Sequence, residues 1–398
     1  MRKLRYVTQL RHVSPLRRLP AAARRRLEAV ERAYAFRSNE YYQSLIDWDD
    51  ARDPIRRIVI PHERELHPWG ELDASNESAY AAAPGLEHKY PDTALLLVND
   101  VCGGFCRFCF RKRLFMEGNR EVARDVSPGL AYIRSRPEIR NVLLTGGDPL
   151  LLSGRRLLDI VGRVAAIPHV RTIRIGSKLL AFNPFRVLSD PELVDGLSGY
   201  STPDRRIYLM AHFNHPRELT DAARQAVARL QEAGIVVMNQ TPLVRGLNDD
   251  PQVLGRLFDE VSALGVAPYY VFQCRPTQGN LEYAVPVERG YRVFVEAQRG
   301  RSGLSRRARF VMSHATGKVE VVGWTAREIA FRYHRAADPA DEGRLFVRPR
   351  NPRAYWLDDY GAPCAAEEPE AEEASAGAGQ GGGALRDRQR RPGTHWSQ

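Results

Sequence analysis

The sequence predicts an α/β fold: a partial barrel of parallel strands with a helical N-terminal extension and a disordered C-terminal tail. Two observations carry this. From about residue 90, short apolar runs alternate with amphipathic helical stretches, and after about residue 365 the chain loses the residues needed to bury a core. Repeated strand–helix units with apolar strands argue for a parallel sheet. Six or more in succession favour a full or partial barrel over an open sheet.

Residues 1–85 read as helical and irregular, with the segment 18–37 placing Leu27, Val30 and Tyr34 at helical spacing. The stretch 67–85 is turn-rich. The core, 86–325, offers seven strands at 94–99, 141–146, 171–176, 206–213, 235–240, 268–274 and 309–313. The clearest helices are 220–234, with Thr220 as N-cap and Gly234 as C-cap, and 253–265. Asn99, Asp148, Ser177, His212, Asn239 and Gln240 stand at or just beyond strand ends, the active-site face of a barrel. Residues 326–364 are expected to pack on the core as a C-terminal extension. Residues 365–398 combine an acidic block, a Gly/Ala run and a basic end, and are expected to be disordered.

Composition narrows the function classes. No stretch approaches the roughly 18 apolar residues of a membrane-spanning helix, and the basic N-terminus lacks an apolar signal core. A cytoplasmic protein is expected. The net charge is +11, and residues 1–32 hold ten basic residues against Glu28 and Glu31, a net +8. Such an arm suits an acidic partner, but an Arg-rich solvated helix explains it as well, and nucleic acid is not expected. The five cysteines, at 102, 106, 109, 274 and 364, make a poor disulfide framework. Three of them fall within eight residues, which suggests a metal site in a reducing compartment.

That cluster is Cys102-Gly-Gly-Phe-Cys106-Arg-Phe-Cys109. Three thiolates on one loop can hold three irons of a four-iron four-sulfur cube and leave the fourth open. Ordinary ferredoxin sites use four cysteines. A structural zinc also needs four ligands; no second cysteine pair is present, and His88 is the one conceivable supplement.

C-x3-C-x2-C directly after a first strand resembles the signature of radical S-adenosylmethionine enzymes. The flanking text resembles the lysine 2,3-aminomutases and their relatives: HKYPDTALLLVNDVCGGFCRFCFRKR, LLTGGDPL, RIGSK, HFNHP, NQTPLVRGLND, PYYVFQC and SHATGKVEVVG follow in order over about 88–323. The resemblance implies a radical S-adenosylmethionine barrel with three cofactors: a 4Fe-4S cluster, S-adenosylmethionine and pyridoxal 5′-phosphate. It implies that an electron passes through the cluster and cleaves S-adenosylmethionine to a 5′-deoxyadenosyl radical. The radical takes hydrogen from carbon 3 of an amino acid held by pyridoxal phosphate, and the 2-amino group migrates to carbon 3. The implied partners are a small amino acid and an electron donor of flavodoxin or ferredoxin type, in a homo-oligomer.

The same resemblance assigns residues. Cys102, Cys106 and Cys109 hold the cluster. Gly146, Gly147 and Asp148 approach the methionine part of S-adenosylmethionine. Ser177, His212 and Gln240 match positions that contact this cofactor or the second one, and each also reads as a polar residue of a barrel mouth. Lys318 is the pyridoxal lysine, in SHATGK where relatives carry a glycine-rich run; a flexible backbone there is expected to let it reach the aldehyde. Lys89 and Tyr90 match a phosphate-contacting Arg-Tyr pair, and Thr93 replaces a second arginine, so phosphate contacts are expected to be rewired. Arg111 matches the arginine that grips the substrate α-carboxylate; the alternative is an ordinary arginine of the RKR run.

The lysine enzymes hold the distal ammonium with two aspartates. Here the first position is Arg275, and the second, by ungapped alignment, is Val311. Charge logic disfavours free lysine and favours an acidic or neutral side chain. Two other readings stand beside this one: an aminomutase that modifies a lysine of a translation factor, and a non-catalytic iron–sulfur protein. With Cys364 as its sole C-terminal cysteine, the chain is expected to lack the inter-subunit zinc of the lysine enzymes.

Overall fold

A computed structural model describes residues 4–361, which fall within one compact unit. The chain starts with a small antiparallel ribbon of β1 (Tyr6–Val7) and β2 (Ser38–Asn39), flanking the helix Ala21–Ala33. Val30 and Tyr34 are buried from that helix and Leu27 packs against the core, as the helical spacing predicts. Arg24 donates to the carbonyls of Arg17 and Leu19, and Arg26 pairs with Glu63, so part of the basic arm is turned back on the chain.

Twelve further strands form one sheet: β3 (Ala81–Ala83), β4 (Leu86–Tyr90), β5 (Thr93–Asn99), β6 (Asn141–Gly146), β7 (Thr172–Ser177), β8 (Arg206–Ala211), β9 (Val236–Leu243), β10 (Ala267–Gln273), β11 (Arg309–His314), β12 (Gly317–Trp324), β13 (Glu328–Ala336) and β14 (Leu345–Pro349). Their order across the sheet is their order in the chain. β5 to β11, the seven strands expected from the sequence, pair in parallel. β3 and β4 join one side and β12 to β14 the other, all antiparallel. β3 and β14 are edges, so the barrel is partial. β12 and β13 pair across the expected boundary at 325/326.

Helices cross over between the parallel strands because the sequence caps them there. Thr220 Oγ1 accepts from the Ala223 N–H and starts the helix Asp221–Glu232. Gly234, at φ +74°, ends it, and the Ile235 N–H returns to the Leu230 carbonyl. Asp250 caps the helix Pro251–Ala263 in the same way. Apolar residues such as Ile160, Ile173, Ile207 and Val237 fill the layer between sheet and helices; each stabilises the fold by roughly 1.5–3 kcal/mol. A second apolar cluster lies around β10 to β13 and the helix Val287–Gln298, including Phe294, Phe310 and Phe331. No helix among the described residues is long and apolar enough to cross a membrane. The expected disordered tail, 365–398, and Cys364 lie outside the described residues.

Candidate active site

Alternation within a strand decides what faces inward. On β7, Ile173 and Ile175 are buried against the helices while Arg174 and Gly176 line a cavity at the mouth of the barrel. That cavity, of about 310 Å³, is lined by every residue the resemblance assigned to the cofactors or the substrate except Val311, from Lys89 to Lys318.

Cys102, Cys106 and Cys109 occupy the loop after β5. Backbone bonds pin this loop from outside: Phe105 N–H to the Arg37 carbonyl at 2.9 Å and Arg107 N–H to the Ile58 carbonyl at 2.8 Å. Asn39, buried, donates to the carbonyls of Gly103 and Phe182 at 3.1 and 2.9 Å. Burial raises all three thiols, Cys106 to about 12. They are neutral at pH 7, and binding a metal there releases protons. No three His, Cys, Asp or Glu side chains converge to hold a single ion among the described residues; a cube with one open iron needs instead one thiolate on each of its other three irons. His88 engages the Tyr132 hydroxyl at 3.0 Å and the Pro91 carbonyl at 3.2 Å and does not line the cavity, which removes it as a fourth ligand.

Gly146 and Gly147 follow β6. A Cβ at Gly146 would lie 2.5 Å from the Asn99 carbonyl oxygen, and one at Gly147 would lie 2.5 Å from that of Val101. The fold itself therefore requires both glycines, to seat this turn against the root of the cysteine loop. Asp148 is buried and accepts from Ser177 Oγ at 2.8 Å and the Lys178 N–H at 2.9 Å. Burial raises it to about 6 despite these bonds. Lys178 pairs with Glu218 at 2.6 Å and donates to the His212 carbonyl at 2.8 Å, joining the turns after β7 and β8. His212 is held well below the usual imidazole range by burial and by Lys178. Gln240, on β9, lines the same wall.

Lys318 stands at the start of β12, opposite Ser313 on β11 and Arg335 on β13. The expected flexible loop is instead a tight hairpin turn at Ala315 and Thr316. A Cβ at Gly317 would lie 2.3 Å from the Arg335 carbonyl oxygen, so glycine is needed for that close approach. The Lys318 ammonium lies over Tyr90 and Tyr270, at 5.2 and 5.6 Å from their ring centres. Burial, then the charges of Arg174, Arg275, Lys89 and Arg335, lowers it to about 7. Lys89 donates to the His314 carbonyl at 2.5 Å and is lowered to about 8, first by burial and then by Arg275.

The RKR run is not a solvated basic patch: Arg111, Lys112 and Arg113 are all buried. Arg111 grips Glu77 with both arms of its fork, Nε and Nη2 each at 3.0 Å, and donates to Thr145 Oγ1 at 3.0 Å. Burial alone would raise Glu77, but Arg111 and Arg275 hold it well below the usual carboxylate range. Glu87 lies 3.4 Å from Arg111; burial, only partly opposed by that arginine, raises it to about 7. Arg275 is stacked over Phe110, 3.6 Å from the ring centre. Val311 is buried and does not line the cavity, whereas Ser313, on the same face of β11, does, so the ungapped alignment does not identify a second specificity position.

Sequence reasoning missed Glu77, Glu87, Arg174 and Arg335. Arg174 left a signal, a charge within the apolar strand RTIRIG. Glu77 and Arg335 left none, since they come from outside the expected core and reach the cavity only through the fold.

No family model matches the chain. It is 58% identical over 361 residues to a putative L-lysine 2,3-aminomutase of Aquifex aeolicus, covering 90% of this chain and 96% of that protein. The chain belongs to the lysine 2,3-aminomutase family of radical S-adenosylmethionine enzymes. It is 40% identical over 263 residues to the L-lysine 2,3-aminomutase of Fusobacterium nucleatum, across 65% of this chain and 60% of that one. It is 31% identical over 301 residues to the glutamate 2,3-aminomutase of Clostridioides difficile, across 75% and 70%. Membership makes it an isomerase, a radical aminomutase, and the cofactors of the family are a 4Fe-4S cluster, S-adenosylmethionine and pyridoxal phosphate. The residues fit that set. Three half-buried thiols line this cavity, and Lys318 sits among four further cations with no carboxylate partner of its own among the described residues, a setting that suits an aldehyde bearing a phosphate dianion.

Proposed function

We propose that this aminomutase depends on pyridoxal phosphate and moves the 2-amino group of a free L-α-amino acid, with an acidic or neutral side chain, to carbon 3. The observation that carries the reading is that one cavity gathers the three-cysteine loop, the depressed amine of Lys318 and the carboxylate-gripping fork of Arg111.

Each residue has a task in this reading. Cys102, Cys106 and Cys109 bind three irons and leave one for S-adenosylmethionine. Gly146, Gly147 and Asp148, with Ser177, His212 and Gln240, shape the wall against which that cofactor lies. When bound, S-adenosylmethionine and the cluster supply the hydrogen-abstracting radical, and pyridoxal phosphate supplies the carbonyl that carries the migrating nitrogen. Lys318, partly deprotonated at neutral pH, is the nucleophile for that carbonyl. Lys89, Arg174 and Arg335 would answer the phosphate, and Tyr90, beside Lys318, would contact the same cofactor. Arg111 would orient the α-carboxylate and so place one hydrogen of carbon 3 toward the radical. Arg275 stands where an incoming lysine ammonium would end and repels it. An external one-electron carrier of flavodoxin or ferredoxin type supplies the electron.

The test is an anaerobic assay of the reconstituted enzyme against lysine, glutamate, aspartate, glutamine and alanine, with the β-amino acid as product. Efficient turnover of free lysine would refute the substrate assignment.

A further inference from the structure

The carboxylate of Glu77 holds three arginines at once. It belongs to the short turn Glu77–Tyr80, whose start is fixed by the Glu77 N–H bonding to Asp73 at 2.8 Å. Its Oε2 accepts from Arg111 Nε at 3.0 Å and Arg113 Nη2 at 2.8 Å. Its Oε1 accepts from Arg111 Nη2 at 3.0 Å and Arg275 Nη1 at 3.4 Å. The Glu77 side chain is 11% exposed, and that of Arg275, pressed on Phe110, is 15% exposed.

We infer that Glu77 is a positioning residue that sets the charge preference of the substrate pocket: by gripping Arg111 and answering Arg275, it leaves the side-chain end for an uncharged group. This rests on the reading of Arg111 as the α-carboxylate arginine. Because Arg111 and Arg275 share one oxygen of Glu77, their guanidinium groups lie within two hydrogen bonds of each other. A substrate seated on Arg111 therefore extends past both Arg275 and Glu77. A lysine ammonium there meets a desolvated guanidinium. A glutamate carboxylate meets Glu77, and to reach Arg275 it must break a buried ion pair and crowd carboxylates together. An amide or an aliphatic group does neither, so both charged classes are penalised without any special contact to the favoured one. Arg275 alone points to an acidic substrate; Arg275 with Glu77 points to a neutral one.

The experiment compares amino acids of differing side-chain charge on the cofactor-loaded enzyme and reads binding from the change in pyridoxal phosphate absorbance, without turnover. The ligands are glutamine, glutamate, lysine and alanine; the proteins are wild type, Glu77→Gln and Arg275→Gln. Wild type is expected to bind glutamine or alanine about tenfold more tightly than glutamate or lysine. Glu77→Gln is expected to raise glutamate relative to glutamine by about tenfold. Arg275→Gln is expected to raise lysine relative to glutamine by a similar factor, since the guanidinium that repels the ammonium is then gone while Glu77, still held by Arg111 and Arg113, stays beside it. A purely structural glutamate would leave the glutamine-to-glutamate ratio unmoved. Wild-type preference for glutamate or lysine overturns the inference, as do ratios unchanged in the variants. Should Glu77→Gln fail to fold by circular dichroism, an unmoved lysine ratio in Arg275→Gln is sufficient to overturn it. If no amino acid alters the wild-type absorbance, the reading of Arg111 falls and this inference with it.

Discussion

The cysteine end and the lysine end of the cavity are built by opposite routes. Cys102, Cys106 and Cys109 come from one loop of eight residues, held in place by backbone bonds to Arg37 and Ile58. The lysine end draws Lys89 from β4, Arg174 from β7, Arg275 from beyond β10, Lys318 from β12 and Arg335 from β13. Their electrostatic states differ as well. The thiols are half-buried and neutral, and a metal bound there would take their protons, whereas the lysine end gathers cations that an anionic ligand would neutralise. One end is specified by spacing in the chain and the other by the order of strands in a sheet.

Separate perturbations can break this comparison. The largest effect is expected at the cysteine end. Replacing Cys102, Cys106 or Cys109 with Ala should reduce bound iron and reductive cleavage of S-adenosylmethionine to background, while a borohydride-trapped pyridoxal adduct still forms on Lys318. Iron analysis and peptide mapping check both halves, and Cys274→Ala should keep its iron. Loss of iron in Cys274→Ala equal to that in Cys106→Ala would end the three-cysteine reading.

Lys318→Ala should give the mirror image, with iron retained and the trapped adduct gone. An adduct trapped on another lysine would move the lysine end elsewhere. Next in size, Arg111→Lys keeps a charge but loses the two-pronged grip, and kcat/KM should fall by on the order of 10²-fold, about 3 kcal/mol. A smaller effect tests the crowding of charge around Lys318. A lysine lowered to about 7 is protonated and inert below that pH and free above it. The initial rate of adduct formation should therefore rise by about tenfold from pH 6 to pH 8 and then level off. A rate still climbing steeply through pH 9 would mean that the lysine is not depressed.

The sheet was legible because buried parallel strands must be apolar and their crossover helices must be capped. Both signals are local, so all seven strands and the Thr220 and Gly234 caps are readable from the chain. The cysteine loop was legible for the same reason, since its chemistry is complete within eight residues. The backbone around Lys318 was misjudged. The glycine before the lysine suggested a flexible backbone, yet its role is to allow the close approach of Gly317 to the Arg335 carbonyl. That requirement comes from β13, which is remote in sequence.

The sequence by itself determined the parallel barrel, the three-cysteine loop and the lysine that faces the same mouth. Only the tertiary structure decided the charge balance around Arg275. Glu77 lies in a turn-rich segment with no pattern of its own, and folding buries its carboxylate between Arg111 and Arg275. A charge in sequence is only a formal count; once buried, its effect depends on which opposite charge sits within hydrogen-bond reach, and chain separation does not encode that distance.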